Sequence, residues 1–552
     1  MNIILPSKMK LVADAVVIGA GTAGCALAKR LSQAYSVILL EAGYDQTDDP
    51  DIAIPSRSGI LVADRTNRYF YPLGHALPSE ADASSNRRLP AVASETPGGG
   101  SSTNGMQWVE SDAEYFNKTA ELVGDPDWSA SNVARVYKSI EKFNGISDYN
   151  PAAHGYSGPL DVKQVVVNQQ AAEVFTQATS SVTGVPLNVD YNDPTVSLGS
   201  YRYWQVTQTP DSRRAESFSA YLKSGLVQDP KNPDVYLATD TVRSLQLVVR
   251  ARLQQVHFDT QDKPRATGVT ASVDGQKVTF CARKYVILCT GFQSCAYLQN
   301  FGIGDAVHLK ALGLEVLVDN PNVGQHMLNH PILSLTGLVD PNGLSPFTPL
   351  PPGFDTEGLY SGGAQLPDAT GQRGYQLIGI ASPTAVGVAP VAFTAVGLIL
   401  DAKSQGWIKI IDRDINRIPD FNFRYFSDPA DIDSGISLYT TQYQILKAMG
   451  LLPQGPDPVT EPDGVRAFVL TRFSQAYHWV GMTRMANTAA EGVVSSSGRV
   501  FGTQNLYVAD VGILPLNTAG NTQAPAYLIG NIIADKLIAK SKCRCRESIR
   551  TG

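Results

Sequence analysis

Residues 14–24 read DAVVIGAGTAG, and this stretch decides the fold. Its first five letters form an apolar, β-branched run that is typical of a buried parallel strand. A helix-forming stretch follows at 25–33, and a second apolar strand at 36–40, SVILL, ends in Glu41. A strand, a glycine turn, a helix, a strand and an acid within about 30 residues predict a Rossmann-type unit that binds a dinucleotide. Glu41 would accept hydrogen bonds from ribose hydroxyls and repel a 2′-phosphate, which favours FAD or NAD over NADP.

The turn places a physical demand on each of its glycines. Gly19 permits the tight turn, Gly21 lets the backbone approach a pyrophosphate, and Gly24 lets the helix pack closely on the strand. Thr22 and Ala23 begin that helix, whose N-terminal N–H groups and positive dipole end favour phosphate. These five residues are therefore predicted to bind the cofactor.

A second glycine-rich segment, PGGGSSTNGM, occupies residues 97–106. Its small residues cannot pack a core, and they suit a backbone that wraps closely around a flat or phosphorylated ligand. A flexible surface loop is the alternative interpretation. Under the first interpretation, the cofactor-binding residues of this segment are Gly99, Gly100, Ser101, Asn104 and Gly105.

Bulk composition excludes several classes of protein. The 552 residues are too many for one hydrophobic core, so two or more lobes are expected. The net charge of −6 argues against a nucleic-acid-binding surface. No segment offers the roughly 18 apolar residues of a membrane span, and the N-terminus lacks the layout of a secretory signal. The six cysteines show neither CxxC nor zinc-type spacing, so we expect no metal. Four of them lie in or beside apolar runs, as buried thiols do, so we expect a reduced, intracellular protein.

Segments of α/β character alternate along the chain with segments of short strands and loops. This alternation predicts one nucleotide-binding lobe assembled from several stretches, with a second lobe inserted between them. A helix from 523 to 540 would precede a basic, flexible tail at 541–552 that contains Cys543 and Cys545. The predicted nucleotide-binding stretches are 1–160, 230–330 and 490–540, and those of the second lobe are 161–229 and 331–489.

Six further blocks of the sequence complete the pattern. They are HGYSGPL at 154–160, TGFQSCAYLQNFGIG at 290–304, NVGQHMLNHP at 322–331, YHWVGMTRM at 477–485, VAD at 508–510 and GNTQAP at 520–525. Together with the two glycine-rich segments, these blocks resemble the glucose–methanol–choline (GMC) oxidoreductases, which bind FAD. The resemblance extends over nearly the whole chain, from the turn at 19–24 to the last block. It implies an α/β fold with a Rossmann-type FAD-binding lobe and an antiparallel-sheet substrate lobe.

The resemblance also assigns roles. His478 matches the catalytic histidine that abstracts the hydroxyl proton of an alcohol, and Asn521 matches the residue that orients the hydroxyl and the developing alkoxide. Thr103 stands where some members carry a histidine bonded to the flavin, so non-covalent FAD is expected. Further residues that the resemblance places near FAD are Val242, Asp510, Val511, Asn521 and Gln523.

A neutral histidine titrates near working pH, which suits it to take the hydroxyl proton, although a buried structural histidine is the alternative for His478. Tyr477 and Trp479 flank it and would suit an aryl or other hydrophobic primary alcohol, unless they only pack the core. Two other functions stay open: a hydroxynitrile-lyase-type reaction, and a structural flavoprotein with little catalysis. The electron acceptor, O₂ or another, and a homo-oligomeric state also stay open.

Overall fold

The computed structural model describes residues 10–58, 61, 70–76, 89–239, 244–259, 262–343, 345–349, 360–382 and 387–550. Numbered in chain order, the strands are β1 (Val12–Ile18), β2 (Val37–Leu40), β3 (Phe70–Ala76), β4 (Leu89–Ser94), β5 (Glu141–Asn144), β6 (Leu160–Val165), β7 (Gly199–Tyr201), β8 (Trp204–Val206), β9 (Leu226–Asp229), β10 (Asn232–Ala238), β11 (Leu245–Val248), β12 (Ala251–Asp259), β13 (Arg265–Val273), β14 (Gln276–Leu288), β15 (Ile303–Gly304), β16 (Val318–Asp319), β17 (Pro331–Val339), β18 (Gly363–Pro367), β19 (Arg373–Ser382), β20 (Ala392–Ile399), β21 (Trp407–Lys409), β22 (Asp420–Asn422), β23 (Leu451–Pro453), β24 (Ser474–Gln475) and β25 (Leu506–Val508). The α-helices are α1 (Thr22–Leu31), α2 (Pro50–Ala53), α3 (Gly100–Thr103), α4 (Ala113–Val123), α5 (Ala130–Ile140), α6 (Gln169–Thr183), α7 (Ser217–Tyr221), α8 (Ser294–Asn300), α9 (Ala306–Ala311), α10 (Pro429–Ala448), α11 (Pro462–Arg472) and α12 (Gln523–Arg550).

The predicted first strand lies at the centre of a nine-stranded sheet. Its order is β12-β13-β14-β1-β2-β11-β10-β9, with β25 beside β14. β1 is parallel to both neighbours, so that Val16 is paired with Val286 on one side and Ile38 on the other. β11 and β25 extend the parallel part, and the flanking strands are antiparallel. The carboxyl ends of the parallel strands therefore meet at one edge, where ligands bind in open α/β sheets.

A second sheet is antiparallel and has seven strands, in the order β23-β17-β20-β19-β18-β7 with β24 beside β17. Helix α10 covers one face of it. Gln442 on that helix is fully buried and donates to the carbonyls of Leu333 and Ala395 at 3.0 and 2.7 Å. This anchors the helix to the two central strands and leaves the opposite face for the site described below.

The α/β fold class with an additional antiparallel sheet confirms the prediction from sequence. The strands of the antiparallel sheet all fall inside the predicted second lobe. Two features cross the predicted boundaries: β9 joins the nine-stranded sheet, and β5 and β6 pair across residue 160. The exact domain limits therefore stay a prediction.

Two local predictions were wrong. Proline and glycine are frequent at 340–375 and predict a long loop, but β18 and the start of β19 lie within this segment, while residues 344 and 350–359 lie outside the described residues. The last helix was expected to end at 540, but its backbone continues to Arg550. Neither glycine nor proline occurs between 531 and 551, so nothing in the basic segment 541–550 interrupts the helix.

Candidate active site

A cavity of about 770 Å³ lies between the carboxyl ends of the parallel strands and the open face of the antiparallel sheet. Most of the residues predicted from sequence line it. Gly24 and Ser101 do not, and Val242 lies outside the described residues. The predicted residues on its wall are Gly19, Gly21, Thr22, Ala23, Glu41, Gly99, Gly100, Asn104, Gly105, Tyr477, His478, Trp479, Asp510, Val511, Asn521 and Gln523.

The predicted turn connects β1 to helix α1. A Cβ added to Gly24 would lie 1.9 Å from the carbonyl oxygen of Gly19, so the first turn of α1 rests directly on the loop. Glu41, at the end of β2, is 6 % exposed and accepts hydrogen bonds from the N–H groups of Ala20 and Gly43, both at 2.9 Å. Burial raises the pKa of Glu41. Glu41 therefore holds the turn in place from the neighbouring strand, and its expected contact with a ribose stays a prediction.

The second glycine-rich segment is not a surface loop. Its backbone forms the short helix α3, and Gly99 just before it has φ +54° and ψ −131°. A Cβ on Gly99 would lie 2.7 Å from the Cα of Gly21, so the two glycine segments touch backbone to backbone. The Thr22 hydroxyl donates to the Gly98 carbonyl at 3.3 Å and accepts from the Ser101 N–H at 3.2 Å. The Ser101 hydroxyl donates to the same carbonyl at 2.6 Å, so it supports the contact from behind the cavity wall.

Asn104 is fixed by the predicted residue Gln523 and by two residues, Met106 and Arg214, to which the sequence analysis gave no role. Its Nδ2 donates to the Gln523 carboxamide, and its Oδ1 accepts from the Met106 N–H at 2.8 Å. The buried guanidinium of Arg214 donates to the Asn104 and Ser101 carbonyls at 2.8 and 3.1 Å. Arg214 thus ties the second glycine-rich segment to α2 through the Ile52 carbonyl, while the bond from Asn104 to Gln523 ties it to α12.

Asp510 ties the ends of two parallel strands together. It follows β25, is 4 % exposed, and accepts from the Ser294 hydroxyl at 2.6 Å and from the Gly291 and Gly512 N–H groups at 3.0 and 2.9 Å. Burial raises the pKa of Asp510 to about 6 despite these hydrogen bonds. The carboxylate holds the loops around the cavity in place, and its predicted role near FAD stays a prediction.

The cavity fits a flat dinucleotide. Its volume is within the range of roughly 300–1,000 Å³ that ligand sites occupy. A Cβ on Gly100 would meet no atom within 4 Å, so this backbone faces open space in the cavity. Gln107 Nε2 and Trp479 Nε1 are buried donors on its wall without a partner in the described part of the chain. The bare backbone at Gly100 leaves room for a ligand to approach closely. The unpaired donors of Gln107 and Trp479 would find hydrogen-bond acceptors in a bound ligand.

His478 and Asn521 meet on the wall of the cavity. The Nε2 atom of His478 lies 3.4 Å from Nδ2 of Asn521. Oδ1 of Asn521 accepts from Gln376 Nε2 at 2.8 Å, and Nδ2 donates to Gln107 Oε1 at 3.1 Å. These two glutamines fix the orientation of the Asn521 amide, so its N–H side is turned towards His478.

Tyr477 and Trp479 both line the cavity and also pack against other aromatic rings. Trp479 stacks over Phe423, with ring centroids 6.0 Å apart, and makes an edge contact with Phe292 at 4.7 Å. Tyr477 has φ +60°, an unusual backbone conformation for a bulky residue. Both side chains therefore lie on the cavity wall and pack against neighbouring rings, and their contact with a substrate stays a prediction.

Sequence reasoning missed several residues of this site. Gln107 and Gln376 carry no local signal, since polar residues on a strand or loop are ordinary. His330 stood in the NHP block that carried part of the resemblance, but no role was given to it. Its position is described below.

Comparison with known proteins identifies the family. The GMC oxidoreductase models match this chain over residues 13–332 and 402–530. The chain belongs to the GMC oxidoreductase family. GMC oxidoreductases bind FAD, and the glycine turns and the acid after β2 fit that cofactor.

The relatives of this GMC oxidoreductase match it over nearly its whole length. It is 29 % identical to an oxygen-dependent choline dehydrogenase from Rhizobium meliloti, over 96 % of each chain. It is 27 % identical to pyranose dehydrogenase 3 from Leucoagaricus meleagris, over 97 % of this chain and 94 % of the other. A formate oxidase variant from Aspergillus oryzae has the same fold, with a TM-score of 0.80, 22 % identity, and coverage of 96 % and 99 %. None of the helices in the described ranges is long and apolar enough to cross a bilayer.

Proposed function

We propose that this enzyme oxidises an uncharged, apolar primary alcohol to the aldehyde, with non-covalent FAD in the cavity and His478 as the base. The observation that carries the proposal is the pairing of His478 Nε2 with Asn521 Nδ2, 3.4 Å apart, on the wall of a cavity that glycine backbone and aliphatic side chains also line.

The glycine-lined part would hold the cofactor. Backbone at Gly21 and Gly99 allows close approach of the pyrophosphate, and Glu41 lies beside them for the ribose. Thr103, at the position expected for a covalent attachment, is buried and shares a hydrogen bond of 2.6 Å with the Ser94 hydroxyl. Threonine offers no nitrogen for a flavin bond, which supports non-covalent FAD.

The proton chemistry follows from the polarity of the two side chains. Asn521 presents an N–H donor, which would bind a lone pair of the substrate oxygen. His478 Nε2 would accept the hydroxyl proton, so the O–H bond breaks and an N–H bond forms on the imidazole. Bound FAD supplies the acceptor for the hydride that leaves the carbon. Together the two residues hold the oxygen so that one C–H bond can point at the cofactor.

The wall beyond His478 suggests the substrate class. It is built from aliphatic side chains of the antiparallel sheet, with few polar groups. The carboxylates on the described part of the cavity wall are Glu41, Glu95 and Asp510, all near the carboxyl ends of the parallel strands. A cationic alcohol would therefore find no opposite charge beside His478, and those hydroxyls of a sugar that face the aliphatic side chains would lack partners. The aliphatic residues on this wall are Ile332, Ile378, Ile380, Val396 and Leu398.

The test is anaerobic mixing of the purified holoenzyme with benzyl alcohol, choline and glucose in separate stopped-flow experiments. We expect the visible flavin band to bleach fastest with benzyl alcohol. Faster bleaching with choline or glucose would contradict the apolar assignment. A bound flavin that no alcohol bleaches would overturn the oxidase or dehydrogenase proposal and favour the lyase or structural alternative.

A matched pair of variants sharpens the substrate test. Ile380→Glu places a charge on the apolar wall, and Ile411→Glu places one at an exposed position outside the cavity. We expect only Ile380→Glu to slow reduction by benzyl alcohol.

Acid precipitation of the wild-type enzyme should release all flavin to the supernatant, whereas flavin retained in the pellet would contradict non-covalent binding.

A further inference from the structure

His330 connects the proposed base to the backbone behind it. It is fully buried just before β17, and its two ring nitrogens have different partners. Nδ1 lies 2.8 Å from Nδ1 of His478, and Nε2 lies 2.9 Å from the carbonyl oxygen of Thr518. The two imidazole planes are nearly perpendicular, at 85°.

These partners determine where the protons are. The Thr518 carbonyl can only accept, so Nε2 of His330 must carry a proton and donate it. Burial lowers the pKa of His330 to about 4, so at neutral pH the ring is neutral and its Nδ1 has no proton. Nδ1 of His478 must then be the donor in the contact between the two rings. A neutral His478 with its proton on Nδ1 has an unprotonated Nε2, the atom that faces Asn521.

We propose that His330 is a positioning residue that fixes the tautomer of His478 with Nε2 unprotonated and able to accept the substrate proton. This inference rests on the proposed function of His478. We call the two hydrogen bonds that run from His478 to His330 and from His330 to the Thr518 carbonyl the relay. The Thr518 carbonyl sets the donor and acceptor in each bond, because the reverse arrangement would point the Nε2 lone pair of His330 at a carbonyl oxygen.

The backbone around the relay holds both rings. Oδ1 of Asn329 accepts from the N–H of His330 at 2.8 Å and from the N–H of His478 at 2.9 Å. The Thr518 hydroxyl donates to the Gly520 carbonyl at 2.6 Å, which closes the turn that leads to Asn521. One turn thus orients the far end of the relay through Thr518 and the substrate end through Asn521.

The relay also has a consequence once His478 has taken the proton. The imidazolium keeps its Nδ1–H bond to the neutral acceptor on His330, and a charged donor makes this bond stronger. No proton passes through His330. It therefore favours both the competent form of the base before proton transfer and the charged form after it.

Two substitutions at His330 separate its two nitrogens. His330→Asn keeps an acceptor near the place of Nδ1 and loses the donor to Thr518. His330→Gln keeps a donor near the place of Nε2 and loses the acceptor for His478. His308→Asn is the control, because His308 also contacts a backbone carbonyl, that of Ile410 at 2.9 Å, but lies outside the cavity.

We expect His330→Gln to lower kcat on the order of 10²-fold with FAD bound and KM little changed, because general-base catalysis contributes about 10²–10⁴-fold. The kcat of His330→Asn should stay within about tenfold of wild type, and the kcat of His308→Asn should equal that of wild type. Equal losses in His330→Asn and His330→Gln would indicate a merely structural role and overturn the proposal. So would full activity in His330→Gln.

A spectroscopic readout keeps this test separate from the proposed function. The holoenzyme is labelled with ring-¹⁵N histidine, and the signals that disappear in His478→Gln are assigned to His478. We expect a protonated Nδ1 and an unprotonated Nε2 in the wild type, with the pattern changed in His330→Gln. A wild-type His478 with its proton on Nε2 would overturn the relay, whether or not any alcohol is oxidised. Failure of alcohols to reduce the flavin, with the expected tautomer present, would instead refute the proposed function alone.

Discussion

Replacing Gly99 by alanine tests whether the contact between the two glycine segments holds FAD. At φ +54° and ψ −131° a side chain is strained, at a cost of about 1–3 kcal/mol. The new Cβ would also lie 2.7 Å from the Cα of Gly21. This is about 1 Å closer than ordinary contact between carbon atoms, so the two segments must move apart by a similar amount. Since 1.4 kcal/mol is tenfold in affinity, we expect the Kd for FAD to rise about 10- to 100-fold.

Gly184→Ala is the matched control. Gly184 ends α6 with φ +75°, and an added Cβ would meet nothing within 4 Å. It should cost about 1 kcal/mol of stability and leave FAD binding unchanged. Titration of each apoprotein with FAD, followed by quenching of flavin fluorescence, measures the difference. A wild-type Kd for Gly99→Ala, or an equal loss in both variants, would refute the reasoning.

Two further predictions concern a buried histidine and the proposed alkoxide donor. Burial would lower the pKa of His154, but hydrogen bonds to Asp190 and Glu141 outweigh it and raise the pKa from its ordinary 6.5 to about 9. Protonated His154 therefore stabilises the folded protein by about 3 kcal/mol, and this contribution is complete below pH 6.5 and is lost as the pH rises to 9. The urea midpoint of unfolding should fall across this pH window in the wild type and fall less in His154→Gln. Parallel curves of urea midpoint against pH for the two proteins would contradict this prediction. Asn521→Leu removes the N–H beside His478 and should slow anaerobic flavin reduction about 10²–10³-fold, as measured by stopped flow; an unchanged rate would exclude the donor role.

The sequence predicted the parts of the site that depend on local chain geometry. The turn at 19–24 and Glu41 were found because strand, turn, helix and acid follow one another within one unit. His478 and Asn521 were found through the resemblance of their blocks to a family. The two wrong predictions also have local causes: proline and glycine around 340–375 obscured β18, and the helix α12 continued through a segment whose charge suggested a tail.

The rest of the site depends on contacts between distant segments. Gly99 meets Gly21, and Gln376 meets Asn521, only because the fold brings together segments that are far apart in the sequence. The role of His330 also depends on such contacts, because neither periodicity nor spacing in the sequence shows which atom faces each of its ring nitrogens. Only the three-dimensional arrangement gives the Thr518 carbonyl as the acceptor that sets the relay.

The most direct test of the account is the rate of anaerobic flavin reduction by a primary alcohol in His478→Ala, compared with wild type and His308→Asn. We predict that His478→Ala purifies with bound FAD, while its reduction rate falls on the order of 10²–10⁴-fold and that of His308→Asn is unchanged. Reduction of His478→Ala at the wild-type rate would show that another group takes the proton, and the proposed mechanism would be wrong.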